Sequence, residues 1–251
     1  MSDVPAGELA SRDVASRDVA SRVRTTHLEV PRTARLHLVG DPATARTLWI
    51  ALHGYGQLGE FFVRPFVEAA PIDACVVVPE ALSRFYLDGT RGPAARVGAT
   101  WMTREDRLAE IADQVRYLDR TVDAVLDGRP LGEVRLCVLG FSQGATTACR
   151  WLAHRHAAGR TTAARLVLWG GGVPPDLGAP GDGREAVLGV TPLTLVVGDA
   201  DEFVSADAVA EQEAWLAAAG VPYALVRYEG KHRVPAGVLR GVLAEDGAAT
   251  R

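Results

Sequence analysis

Ser142 lies in the run Val138-Leu139-Gly140-Phe141-Ser142-Gln143-Gly144-Ala145, which closes an apolar stretch and opens an amphipathic one. Glycines at ±2 around a serine have a mechanical meaning where a strand turns sharply into a helix, because larger residues there would collide with strand or helix. In that setting the hydroxyl stands exposed, and the amide of Gln143, at the helix N-terminus, points toward any oxyanion forming at Ser142. With 26 glycines in 251 residues, chance supplies G-x-S-x-G about 0.07 times. The chemistry implied is nucleophilic attack by a hydroxyl; the alternative is a glycine-flanked turn serine with no chemistry.

A serine hydroxyl is a weak nucleophile without a base, and the base needs an orienting carboxylate. Of the six histidines, His27, His37 and His53 precede Ser142, while His154 and His156 follow it on the same helix. His154 would lie about 18 Å along that helix, too far to touch Ser142. That leaves His232, in the loop Gly230-Lys231-His232-Arg233 after the last apolar strand. The orienting acid is sought after the strand Leu193–Gly198, where Asp199, Asp201 and Glu202 crowd the run GDADEFV. One of the three should face His232. A second oxyanion donor is expected from the loop Leu52-His53-Gly54-Tyr55-Gly56-Gln57, whose glycines let backbone approach a ligand. His53 there reads as a loop-bracing hydrogen-bonder.

With these pieces in order, the chain resembles the phospholipase/carboxylesterase group of α/β hydrolases, which includes acyl-protein thioesterases and bacterial carboxylesterases. The resemblance rests on LHGYGQ (52–57), GFSQG (140–144), GDADEFV (198–204) and GKHRVP (230–235), and covers about residues 45 to 245. It implies Ser142 as nucleophile, Asp201 as acid, His232 as base, and the amides of Tyr55 and Gln143 as oxyanion donors. It also implies hydrolysis of carboxylic esters or thioesters with no cofactor and no metal. Asp199, directly after the strand-ending glycine, is expected to serve its own turn. The group often carries a Trp-Phe-Asp motif where this chain has Trp101-Met102-Thr103. The preceding Gly- and Arg-rich segment 81–100 reads as a long loop without structure of its own. Phe85, Tyr86 and Trp101 are candidate substrate-binding aromatics; Arg84, Arg91 and Arg96 would line a long alkyl tail poorly, favouring short acyl chains. The long loop and opening hairpin point to a bacterial subgroup.

The elements that must position these residues alternate. Apolar strands are expected at TLWIALHG (47–54), ACVVVPE (74–80), VRLCVLG (134–140), ARLVLWG (164–170), LTLVVG (193–198) and YALVRYEG (223–230). Several are apolar on both faces, as central strands covered by helices must be. Over 104–127, Leu108, Ile111, Val115, Leu118, Val122 and Val125 follow helical steps. Thr103 and Asp106 are candidate caps, and Gly128 and Pro130 stop the helix. RTTHLEV and ARLHLVG, flanking Pro31, read as an opening hairpin. The fold expected is α/β, of the α/β-hydrolase type: a mostly parallel sheet, helices on both faces and an N-terminal antiparallel hairpin. Residues 1–22 carry the repeat SRDVA and read as a polar extension, leaving one domain over 23–251.

A net charge of −4 argues against nucleic acid as a partner, since phosphate binding needs clustered Lys and Arg. Three cysteines, Cys75, Cys137 and Cys149, make no disulfide framework and read as buried, inert thiols. No apolar stretch approaches the ~20 residues that span a bilayer, and the first 22 lack a secretory apolar core. The expectation is a cytoplasmic esterase acting on a small-molecule ester, without stable membrane insertion, with a homodimer left open. Two rivals stand beside it: a long-chain acyl-thioesterase or lysophospholipase, and a hydrolase-fold binding protein that does not turn over.

Overall fold

The computed structural model describes residues 23–89, 92–177 and 191–244. Residues Met1–Thr33 and Ala34–Arg251 separate into two units. In the first, the described residues 23–33 form neither helix nor strand; the SRDVA repeat lies outside the described residues.

The second unit is built on a seven-stranded sheet. Its strands are β1 (Leu36–Val39), β2 (Thr47–Leu52), β3 (Ala74–Pro79), β6 (Arg135–Phe141), β7 (Arg165–Trp169), β8 (Leu193–Gly198) and β9 (Tyr223–Tyr228), in the order β1-β3-β2-β6-β7-β8-β9. All neighbours are parallel except β1, which runs antiparallel to β3. The N-terminal antiparallel pairing is thus present, but β1 pairs with β3 and not with residues 24–30. The alternation in THLEV satisfies the strand period, yet residues 23–30 are exposed and have no covered face to fix a register.

Period-two alternation divides the core between the two faces of the sheet. Leu48, Ile50 and Leu52 of β2 join Val138 of β6 on one face. They pack against Val115, Leu118 and Val122 of α3 (Arg107–Leu126) and Trp151 and Leu152 of α4 (Gln143–Ala157). Trp49 and Ala51 join Leu139, Val167 and Trp169 on the other. These meet Phe62 of α1 (Gly59–Phe62), Phe66 of α2 (Arg64–Ala69) and Leu239 of α6 (Ala236–Ala244). Helix α5 (Ala206–Ala218) is capped by Ser205, whose Oγ accepts the Ala208 amide at 3.1 Å. Helix α3 begins without a side-chain cap from Asp106, whose backbone is left-handed. Instead Glu110 reaches back to accept the Thr103 amide at 2.6 Å. Among the described residues no helix is long and apolar enough to cross a membrane.

Segment 81–100 has structure of its own, contrary to the expectation of an irregular loop. Strands β4 (Ser83–Tyr86) and β5 (Val97–Thr100) form an antiparallel hairpin. A composition poor in apolar residues hid it, because its anchors are polar. The Glu80 carboxylate, fully buried, accepts from Arg84 Nε at 2.6 Å, Arg35 Nη2 at 2.7 Å and the Gly59 amide at 3.2 Å. One side chain therefore ties the end of β3 to the hairpin, to the segment before β1 and to the start of α1.

Burial works against the Glu80 charge, but the hydrogen bonds from Arg84 and Arg35 outweigh it and hold the carboxyl below its ordinary value. Its stabilisation is therefore complete above the usual glutamate value of about 4.3 and lost as pH falls through the lower folded value. Glu80→Gln is expected to cost about 1–3 kcal/mol at pH 7, because charge-assisted bonds from two guanidinium groups are lost while both groups keep contact with water. The difference from wild type should shrink as pH falls below 4. Urea unfolding at both pH values checks this; an equal midpoint at pH 7 would show the cluster to be neutral.

Candidate active site

Ser142 stands between the last residue of β6 and the first of α4, with φ 54° and ψ −117°. Left-handed φ is costly for a residue with a side chain. Here it is imposed by close packing. A Cβ on Gly140 would fall 2.3 Å from Gly144 O, and one on Gly144 2.2 Å from Leu52 O. Two hydrogen bonds hold the turn: the Ser142 amide donates to Trp169 O at 2.8 Å, and the Ala145 amide to Ser142 O at 3.0 Å.

The loops after β8 and β9 bring Asp201 and His232 together. His232 Nδ1 lies 2.7 Å from Asp201 Oδ2, and the two side chains are 12% and 1% exposed. Asp201 Oδ1 accepts the amides of Phe203 at 2.9 Å and Val204 at 3.1 Å. A carboxylate that only accepts assigns the proton to Nδ1 and leaves Nε2 as the free acceptor. The imidazole sits between Phe141 and Phe203, with ring centroids 4.7 and 4.8 Å away. Phe141 directly precedes Ser142, so the ring and the serine flank the same strand end. Gly170 and Gly171 line the gap between them. A Cβ on Gly170 would meet His232 Cε1 at 2.9 Å, and one on Gly171 would meet Ser142 O at 2.7 Å.

Asp199 does not serve its own turn. Its Oδ1 accepts the Gly230 amide at 2.8 Å, across to the loop that carries His232. The bond to an amide two residues on is made by Asp201 instead, because the chain folds back over its carboxylate at Phe203 and Val204. Glu202 is exposed. The sequence reading also missed Tyr228, whose hydroxyl lies 2.7 Å from Lys231 O and 2.6 Å from Arg233 O, pinning the His232 loop on both sides. A tyrosine four residues before His232 at a strand end was the available signal.

On the other side of Ser142, the loop bearing Tyr55 follows β2, the second strand. His53 is buried; its Nε2 accepts the Ala81 amide at 3.0 Å, so Nδ1 carries the proton and donates to Gly54 O at 2.8 Å. Burial is the main cause that lowers its pKa. It braces the loop. The Tyr55 ring is exposed and lies 5.1 Å from Phe85. Tyr86, next along β4, points to the opposite face of the hairpin and is exposed. Trp101 is 3% exposed, its indole N–H donating to His53 O at 2.9 Å, so it is a buried brace where a pocket wall was expected. Arg84 is spent on Glu80, and Arg96 on Asp88 at 2.6 Å; Arg91 lies outside the described residues. Burial pushes the thiols of Cys75 and Cys137 up to about 11 and that of Cys149 to about 12, which keeps all three protonated at neutral pH.

A parallel sheet with a glycine-flanked serine on the turn after its central strand, and a His–Asp pair on the loops after the last two strands, is the α/β-hydrolase arrangement. The family described as Serine hydrolase (FSH1) matches residues 44–238, and the chain belongs to it. No curated protein matches the chain. Solved structures share its fold at low identity. A carboxylesterase from Mesorhizobium loti has TM-score 0.61 and 18% identity, covering 84% of this chain and 94% of that one. Zea mays acyl-protein thioesterase 2 has TM-score 0.59 and 18% identity, with 86% and 100% covered. A phospholipase/carboxylesterase from Dyadobacter fermentans has TM-score 0.57 and 16% identity, with 87% and 98% covered.

The two aspartates should separate in solution. Asp201→Asn is expected to leave the fold intact and lower turnover by up to about 10⁴, since the amide stabilises the wrong imidazole tautomer. Asp199→Asn should cost melting temperature and far less rate. Steady-state kinetics with circular dichroism on both variants checks this; a larger rate loss for folded Asp199→Asn would reverse the assignment.

Proposed function

We propose that this serine hydrolase cleaves carboxylic esters through an acyl-enzyme. The observation that carries the reading is the 2.7 Å His232–Asp201 pair, with the free Nε2 beside the strand end that presents Ser142. Ser142 Oγ attacks the ester carbonyl while His232 Nε2 takes its proton. The carbonyl oxygen becomes an oxyanion that receives the amides of Tyr55 and Gln143. The C–O bond to the alcohol then breaks, and His232 returns the proton to the leaving oxygen. Water repeats the sequence, with His232 as base, and releases the acid and free Ser142.

Asp201 holds the ring and stabilises the imidazolium that forms at each transfer. Tyr55 and Phe85 offer paired aromatic surface at the oxyanion loop. Because Arg84 and Arg96 are held in ion pairs, the charge argument for short acyl chains loses its basis, and the proposal stops at the ester class. The likeness to Zea mays acyl-protein thioesterase 2 makes an acyl thioester the first competitor to include.

Ser142→Ala is expected to lower hydrolysis of a nitrophenyl ester by about 10⁶ and to keep the native circular dichroism spectrum. A fluorophosphonate probe should label wild type and not the variant. More than a tenth of wild-type activity in the variant would remove Ser142 from the mechanism. An unlabelled, inactive wild type would favour the binding-protein reading. A series of nitrophenyl esters and acyl thioesters from two to sixteen carbons then sets the preference.

A further inference from the structure

The five residues from Gly98 to Met102 touch both halves of the oxyanion site. On the Tyr55 side, Ala99 O accepts the Gly56 amide at 2.8 Å and the Ala99 amide donates to Gln57 O at 3.1 Å. Contact there is tight, since a Cβ on Gly98 would fall 2.3 Å from Gly56 O. On the Gln143 side, the side-chain amide bonds to residues 100–102. Its Oε1 accepts the Trp101 amide at 3.0 Å and also accepts from Thr100 Oγ1 at 3.1 Å, and its Nε2 donates to Met102 O at 2.8 Å.

Trp101 reaches both sides by itself. Its backbone N–H goes to Gln143, and its indole N–H goes to His53 O at 2.9 Å, two residues before Tyr55. Neither acceptor can move freely. His53 is locked through both ring nitrogens, and its ring lies 5.2 Å from the indole. Gln143 is the first residue of α4, fixed behind the strained turn at Ser142.

We propose that Trp101 is a positioning residue that fixes the separation of the Tyr55 and Gln143 amides, so that both are aimed at one developing oxyanion. This rests on the esterase reading above. An oxyanion site works only if its donors stand 2.7–3.1 Å from where the charge will form, before it forms. Two donors on separate loops need a rigid link to meet that condition, and Trp101 is bonded to both supporting segments. A wall of an acyl pocket would act on substrate affinity; a strut acts on the transition state.

The test is Trp101→Phe, which keeps an aromatic ring and the backbone N–H and removes the indole donor together with part of the buried ring volume. Gln143→Leu is the second variant; it keeps the backbone amide of Gln143 and removes both side-chain anchors, so it breaks the same strut from the other end. For each, kcat and KM are measured with nitrophenyl acetate, alongside inhibition by a short alkyl trifluoromethyl ketone. With that ketone, Ser142 Oγ bonds to the carbonyl carbon, the proton passes to His232 and the carbonyl oxygen becomes the oxyanion. The expected result is a loss of about 10–100-fold in kcat, KM within about threefold, and a matching loss in ketone affinity. Wild-type kcat in both variants, or a raised KM with kcat unchanged in folded protein, would overturn the strut. An inactive wild type would overturn the esterase reading and the strut with it.

Discussion

The structure depends on one close approach of backbone to backbone. At the end of β6 the chain must reverse into α4 within a single residue, and Ser142 takes a left-handed φ to do it. Such a conformation costs of order 1–3 kcal/mol. The surroundings over-determine it: Gly140 lies against Gly144, Gly144 against the end of β2, and the Ser142 amide is taken by Trp169 of β7. Because β6 lies between β2 and β7, two neighbouring strands clamp the turn. Helix α4 is held at its far end as well, where Asp119 of α3 accepts from Trp151 Nε1 at 2.9 Å and Arg155 Nη1 at 2.6 Å. A turn anchored in this way keeps its serine side chain free for chemistry, since the serine backbone carries the structural load.

From that turn the site divides into two halves supported by different parts of the sheet. Strands β8 and β9 supply the half that carries Asp201 and His232. The Asp199 to Gly230 bond and the Ala200 to Gly230 bond at 2.9 Å stitch their loops together, so the His232–Asp201 distance does not depend on the rest of the site. Strands β2 and β3 and the β4–β5 hairpin supply the half that carries Tyr55. Its deepest support is Glu80, one residue before the Ala81 amide that fixes His53. A buried carboxylate is a poor source of net stability, but here it sets the relative positions of three chain segments near the site.

What could be read in the sequence was what short-range patterns encode. Apolar runs gave six strands of the sheet, helical spacing gave α3, and glycine spacing located Ser142. Residue order left His232 as the base. The rest depends on contacts between distant segments. The segment 24–30 has the period of a strand but forms none. The β4–β5 hairpin has weak strand composition and is held by Arg84, by the Asp88–Arg96 pair and by the bridge from Gln57 to Ala99, polar contacts that an apolar pattern does not register. Asp199 and Asp201 differ by two positions, and only the fold shows that one carboxylate faces Gly230 and the other His232. For Trp101 the residue type suggested a ring against substrate; the position of its N–H groups, known only in three dimensions, makes it a brace.

His53 and His232 show how environment assigns opposite tasks to one side chain. Both lie on loops at the carboxyl ends of parallel strands, and both have Nδ1 as donor. His53 donates to a neutral carbonyl and accepts a backbone amide, so a second proton would have to break the Ala81 bond inside a buried site; burial accordingly lowers its pKa. His232 donates to the Asp201 carboxylate, which also accepts two backbone amides. A proton arriving on His53 would create a cation in a buried site, which the Glu80 charge only partly offsets. The two rings differ in burial and in partners: His53 is bonded through both nitrogens and holds the loop, while His232 is held through Nδ1 between Phe141 and Phe203.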